Sequence, residues 1–203
     1  VLIGGLMLGR LAGFRGEARA LQPLHDIQTD WATPIQFSDA LMQAREDSGA
    51  ANPVEDAPIV TERANGGWPG TGGRLVSEVQ EEAEQSIAGE DPVFPRLDPL
   101  YVDAPVSEVA AATLRVVKRR GWDVVSEGVA LDRGAIQIEA TETSAWFGLE
   151  DDIAVRIQGS GNGARIDIRS TSRVGLSDIG ANSKRVSALL IELQDRLNGR
   201  WGP

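Results

Sequence analysis

The 203-residue chain contains no cysteine and one histidine, His25. Without thiols, disulfides and thiolate metal sites are unavailable and cysteine usage says nothing about redox compartment. With a single imidazole, a zinc site lacks its customary ligands. There is no Gly-x-Ser-x-Gly elbow, no phosphate-binding loop, and no cysteine or second histidine for a hydrolytic triad. A basic excess is missing too. Residues 1–37 balance three Arg against three acids, 38–99 set four Arg against thirteen acids (−9), and 100–203 set thirteen bases against fourteen acids (−1). The net charge of −10 therefore belongs to the middle of the chain, and binding to a phosphate backbone is disfavoured.

What is present first is an apolar, glycine-rich start, Val1 to Phe14, interrupted only by Arg10. It falls short of the roughly 20 residues that span a bilayer. The segment reads as the tail of a longer helix, an interfacial segment, an atypical signal or a partly buried terminus. Arg10, Arg15 and Arg19 form a basic flank that leans towards the cytoplasmic side of a membrane. Residues 1–24 are thus expected to be membrane-proximal. Residues 25–37 form an extended strap in which Asp26, Thr29 and Asp30 take turn positions and Pro34 enforces extended backbone before it. His25 beside two carboxylates admits a proton-transfer or weak cation site, although a capping or turn role accounts for it more simply.

Residues 38–99 are rich in Ala, Gly, Pro and acids and are expected to be largely disordered alone in water, loosest over Asn65 to Gly73. Within them Val76, Val79, Ala83 and Ile87 recur at helical spacing, predicting a short acidic amphipathic helix over residues 75–88, ended by Gly89. A partner surface is the natural means of ordering such a linker.

The folded domain is expected over residues 100–198. A short strand at Leu100–Asp103 precedes a helix opened by Pro105 and Ser107, with a stripe of Val106, Ala110, Leu114 and Val117 and a stop at Gly121. Four strands follow at residues 122–127, 135–141, 152–157 and 164–170. A last helix over residues 181–197 is capped by Ser177 or Asp178 and carries Val186, Leu189, Leu190, Leu193 and Leu197 on one face. The order β-α-β-β-β-β-α predicts an α+β two-layer sandwich, an antiparallel sheet with both helices on one face. Ile136, Ile138, Ile153, Val155, Ile157, Ile166 and Ile168 alternate towards the helices. Gln137, Glu139, Asp152, Arg156, Arg165, Asp167 and Arg169 take the other face, which reads as a solvated surface of weak cross-strand ion pairs.

Several blocks carry a family resemblance: residues 25–30 (His-Asp-Ile-Gln-Thr-Asp), Gly121-Trp122, Ile138 to Ala140, Trp146-Phe147-Gly148, Asp151-Asp152 with Val155-Arg156, and the long run from Asp167 to Asn182 followed by Lys184-Arg185. They resemble the bacterial and plastid family catalogued as domain of unknown function 1499, over residues 25–37 and about 95–197. The acidic insertion between those blocks is longer than the connection associated with the family. Because members often carry transmembrane helices just before the strap, the resemblance implies that Val1 to Phe14 lies near a membrane. It brings no catalytic activity.

Chemistry concentrates between Arg169 and Arg185, where two glycines, a helix start and cationic side chains meet. Arg156, Arg169, Arg173, Lys184 and Arg185 are candidate contacts for an anion or partner at a helix N-terminus. Against that, Asp178 stands at the same helix start and Arg173 can pair with Asp151 or Asp152. His25, Asp26, Thr29, Asp30, Asp178 and Asn182 read as a structural motif. Trp146 and Phe147, with Trp68, Val76, Val79 and Ile87, are candidate partner contacts, Trp146-Phe147 being either a core plug or an exposed contact. Glu150, Asp151 and Asp152 make only a weak cation motif, and Glu139 with Asp152 a weaker acid–base pair. No metal or cofactor is implied. The expected function is that of a non-enzymatic accessory or scaffold protein docked on a larger membrane complex, a bioenergetic one among the candidates. The alternative is an anion or lipid-headgroup binding domain, and the third reading is a hydrolase.

Overall fold

The computed structural model describes residues 22–85, 96–144 and 148–198. Expectations for Val1 to Phe14, Ile87, Trp146 and Phe147 lie outside them. The fold is α+β, with a six-stranded antiparallel sheet made of β1 (Asp26–Gln28), β2 (Leu100–Val102), β3 (Asp123–Ala130), β4 (Ile136–Thr143), β5 (Glu150–Ser160) and β6 (Gly163–Ser172). Strand order is β1-β6-β5-β4-β3, with β2 also on β6. The strap supplies β1, which pairs with residues 169–171 of β6, while β2 pairs with residues 164–166 of the same edge. Gly163 permits that second approach, since a Cβ there would lie 2.0 Å from the Val102 carbonyl oxygen.

Helices α1 (Asp39–Asp47) and α2 (Val76–Glu84) belong to the acidic segment, and α3 (Val106–Arg119) and α4 (Ala181–Leu197) to the domain. Period-two alternation in β4 to β6 sends Ile138, Ile153, Val155, Ile157, Ile166 and Ile168 into one core with Val186, Leu189 and Leu193 of α4. On α3 the fully buried stripe is Val109, Ala112, Thr113, Val116 and Val117, so the helix is rotated from the predicted face. Apolar residues cover more than one stripe of this helix, and Val106, Ala110 and Leu114 pack part-buried on the flank of the same core.

The other face of the sheet is not a solvated surface. Asp152, Asp167 and Arg169 are each 0% exposed. The chain following β1 lies over them, and Ile35, Phe37 and Leu41 close a second small apolar core against Ala154. Ser38 caps α1 by accepting from the Leu41 N–H at 3.3 Å, and its own N–H donates to Glu139 at 2.7 Å, tying the cap to the sheet.

Residues 38–85 are likewise packed rather than loose. Their ordering surface is the protein's own domain, because Val76, Val79 and Ala83 enter the main core. The glycine-rich stretch is drawn into a closed loop by Asn65. Its Oδ1 accepts from the N–H groups of Gly70 and Gly72, and its Nδ2 donates to Glu62. A bridge between Ile59 and Leu75 closes the base of that loop. Composition alone misjudged this segment because few apolar residues suffice when a preformed core receives them.

Leu41 is fully buried in the small core. Leu41→Ala is expected to cost about 2–4 kcal/mol in equilibrium denaturation, in the same transition that unfolds the sheet. An unchanged midpoint would mean that α1 contributes nothing to the fold.

Candidate functional site

The polar residues of the covered face form a continuous charge lattice. Arg169 lies on β6 with neither its guanidinium nor its partner Asp26 exposed. Its Nε donates to Asp26 Oδ1 at 3.0 Å and its Nη2 to Oδ2 at 2.5 Å. The remaining N–H groups reach the carbonyls of Ile35 at 2.7 Å and Glu55 at 2.8 Å. One side chain thus pins the strap and the acidic segment to the sheet. Thr171 donates to the same carboxylate at 2.7 Å.

Asp152 on β5 is a second centre. Arg173 grips it through Nε at 2.9 Å and Nη2 at 2.8 Å, and Nη1 goes to Glu150 at 2.6 Å. Arg45, from α1, reaches the same carboxylate at 2.5 Å, and Thr141 donates to it at 2.7 Å. The hydrogen bond to Asp152, then the charges of Asp152 and Glu150, raise Arg173 above its ordinary value against the pull of burial. At the far end of β6, Arg165 pairs with Asp30 and Asp167, and Arg156 lies 3.3 Å from Asp167.

The Arg169–Arg185 segment is locked on the helix side as well. Arg185 Nη2 donates to Asp151 at 2.5 Å and its Nε to Glu142. Asn182 accepts from Ser170 at 2.6 Å and donates to Ser172 at 2.9 Å and to the His25 carbonyl at 3.3 Å. Asp178 caps α4 from outside it, accepting from the Gly180 and Asn182 amides at 2.7 and 2.6 Å. Burial pushes its carboxyl up to about 6 against those two donors.

The five predicted cationic contacts are therefore not gathered around a vacant anion position. Arg156, Arg169, Arg173 and Arg185 are engaged by internal carboxylates, and only Lys184 is exposed. Their common physical reason is the burial of the face: an ionised carboxylate inside requires a paired cation. Val76 and Val79 point into the core and Trp68 packs part-buried against it, so these predicted partner contacts are turned inward. His25, Asp26, Thr29, Asp30, Asp178 and Asn182 all sit at the junction of strap and sheet. Arg45 was absent from the predicted set: an arginine alone among acids carries no local motif, and only the opposition of its charge to the acids around it could have drawn attention. A cleft of about 400 Å³ between strap and α2 is lined by Gln28, Trp31, Glu78, Glu81, Glu84 and Asp98 with Arg96 as its one cation, a wall whose acidic excess disfavours anions. Among the described residues no group of His, Asp or Glu is arranged to hold a metal ion.

A family model described as a protein of unknown function, DUF1499, matches residues 26–193. The chain belongs to the DUF1499 family. The match begins at Asp26, the carboxylate that receives Arg169, and continues across the acidic segment. The crystal structure of CalU16 from Micromonospora echinospora is similar at 14% identity with a TM-score of 0.28, covering 49% of this chain and 76% of CalU16. That likeness carries no argument about the DUF1499 chain. No curated protein matches it.

Two predictions follow from the lattice. Asp26→Asn leaves Arg169 without its counter-charge and is expected to cost about 3–5 kcal/mol, read by denaturant unfolding. The second concerns His25, a buried imidazole whose Nε2 has no partner. Burial, then Arg45 and Arg169, hold it below its ordinary 6.5, against the raising effect of Asp26. The unfolded chain therefore takes up this proton at higher pH than the folded one. Its contribution is full above 6.5 and is lost as pH falls below that value through the lowered folded-state one. Asp178 acts in the opposite sense: its carboxyl, raised from 3.8 to about 6, adds stability as pH falls through about 6. The His25 effect is thus read as the difference between the wild type and His25→Gln, whose melting temperature should fall less on acidification. Parallel curves would assign the acid sensitivity elsewhere.

Proposed function

We propose that this protein is a non-catalytic accessory subunit of a membrane protein complex. The observation that carries the reading is the partition of residues 38–85. Leu41, Val60, Ala64, Val76, Val79 and Ala83 are buried in the two cores, whereas Asp39, Glu46, Asp47, Glu55, Asp56, Glu62, Glu78, Glu81 and Glu82 stand exposed. A rigid surface bearing this many carboxylates favours a basic face on a partner through complementary potential. The apolar residues Val1 to Phe14 with their arginine flank support placement beside a membrane. No helix among the described residues is long and apolar enough to cross one.

The same reading assigns the arginines to structure rather than to a ligand. Arg173→Ala is expected to lower stability by roughly 3 kcal/mol, because Asp152 and Glu150 lose their shared cation. Binding of inorganic phosphate should be absent from both the wild type and the variant. A phosphate affinity that Arg173→Ala abolishes without loss of stability would favour an anion-binding domain instead.

The accessory role is tested by solubilising native membranes in mild detergent and recovering the tagged full chain with carboxylate-directed crosslinking and mass spectrometry. Stoichiometric partners crosslinked to residues 39–82 are the expected result. A monomer recovered without partners would overturn the assignment.

A further inference from the structure

Three large apolar side chains stand exposed at one end of the sheet: Leu149 at 47%, Val174 at 40% and Ile179 at 42%. They are neighbours through the backbone. Asp151 is registered with Ser172, the Arg173 N–H donates to the Glu150 carbonyl at 2.9 Å, and Leu149 and Val174 are the next residues beyond that contact on each strand. On the other side of β6 the Ser172 N–H donates to the His25 carbonyl at 2.8 Å. The turn carrying Ile179 is tied to the first described residues, since Ser177 Oγ donates to Gln22 at 3.1 Å and the Asp178 N–H to Leu24 at 3.0 Å. The exposed triad thus surrounds the point where the chain enters the fold.

The chain arriving there has just passed Val1 to Phe14 and the arginines at 10, 15 and 19. From Phe14 to Gln22 the backbone spans at most about 28 Å. Arg15 and Arg19 are therefore tethered within that distance of Gln22. The carboxylates of the sheet are paired at this end, and α1 ends near it with Glu46 and Asp47 exposed, since the Ala51 and Asn52 amides donate to the Arg173 carbonyl. Glu150 and Asp152 are matched by Arg173, Glu142 and Asp151 by Arg185, and Lys184 is exposed on the first turn of α4. The acidic helix α2 meets β1 at Gln28, on the side away from the turn.

Ile179 adds an independent mark. It adopts φ 54°, a left-handed conformation that a β-branched residue enters only at a cost. Glycine would relieve the strain, yet here an isoleucine holds it with its side chain in the open. Three apolar tips on loops are also too few for a stable protein interface, which takes about 800 Å² from each partner. They match shallow insertion between lipid headgroups, where apolar contact and attraction of cations to anionic lipid act together.

We propose that this end of the domain rests on an anionic bilayer, with Leu149, Val174 and Ile179 seated in the interface and the carboxylates of α2 held away from it. This rests on the membrane-side placement proposed above and adds the orientation and the contact residues.

Because the chain has no cysteine, single Cys replacements give unique labels. Leu149→Cys, Val174→Cys, Ile179→Cys and, as control, Tyr101→Cys would be spin-labelled in the full chain and floated with phosphatidylcholine vesicles containing or lacking phosphatidylglycerol. Tyr101 is 60% exposed and registered with Arg165, roughly 30 Å along β6 from Val174. The expected result is flotation with phosphatidylglycerol, three rim labels reached by oxygen and shielded from a water-soluble nickel complex, and a Tyr101→Cys label left in water. Flotation with all four labels in water would overturn the orientation while leaving membrane placement intact. Failure to float on either vesicle would overturn both. Rim labels shielded on native membranes and not on vesicles would make the occupant a protein. Ile179→Gly provides a second readout: it should melt no lower than wild type while binding vesicles roughly tenfold more weakly. Unchanged vesicle binding would remove Ile179 from the contact.

Discussion

The structure depends on a buried guanidinium. Arg169 is wholly enclosed, and its bonds join the strap, through Asp26 and Ile35, to the acidic segment, through Glu55. In a low-dielectric interior such a charge is tolerable only with its full complement of acceptors. Correct seating of the strap and of residues 52–56 is therefore a condition for β6 to bear this residue at all. An apolar replacement of the whole lattice could be as stable, since desolvation offsets much of the ion-pair attraction. What the lattice contributes is register. Sliding β1 by one residue would turn Asp26 away from Arg169 and Thr171 and bury Ile27 among charges.

The same lattice decides what surface is left for function. Once Arg45, Arg173 and Asp152 are joined inside, the arginines that invite an anion in the linear sequence are no longer available to one. The acidic segment has two sides with separate tasks. Val76 and Val79 belong to the fold, and the carboxylates of α2 belong to the exterior. That exterior has a relief set by the core beneath it, so binding there would carry little of the entropic cost of coupled folding.

How much of this was legible in the sequence varies with the range of the interaction. Strand alternation such as Ile136, Ile138 and Ile153, Val155, Ile157 revealed the sheet and its helix-bearing face, and the leucine spacing of α4 gave its limits. These signals are local. The second layer was not legible, because Ser38 to Glu139 and Arg45 to Asp152 are pairings across 101 and 107 residues with no periodicity to announce them. The polar alternation on β4 to β6 was correctly seen but assigned to water, since a solvated face and a face roofed by charged partners share one pattern. In the candidate site, Asp178 as a cap and the Arg173–Asp152 pairing were visible from proximity. Arg169 as the hub was hidden, since its partner Asp26 lies 143 residues upstream.

The double occupancy of β6 has a kinetic side. Its outer edge is completed by β1 and β2 and its inner edge by β5, all synthesised before it. Until residues 163–172 have left the ribosome, β1 and β2 have no strand to pair with. Loop-closure entropy over such separations makes late, slow closure the expected order of events. The sheet thus closes from its last strand backwards. In that interval the carboxylates of the acidic segment keep an unfinished chain soluble by mutual repulsion.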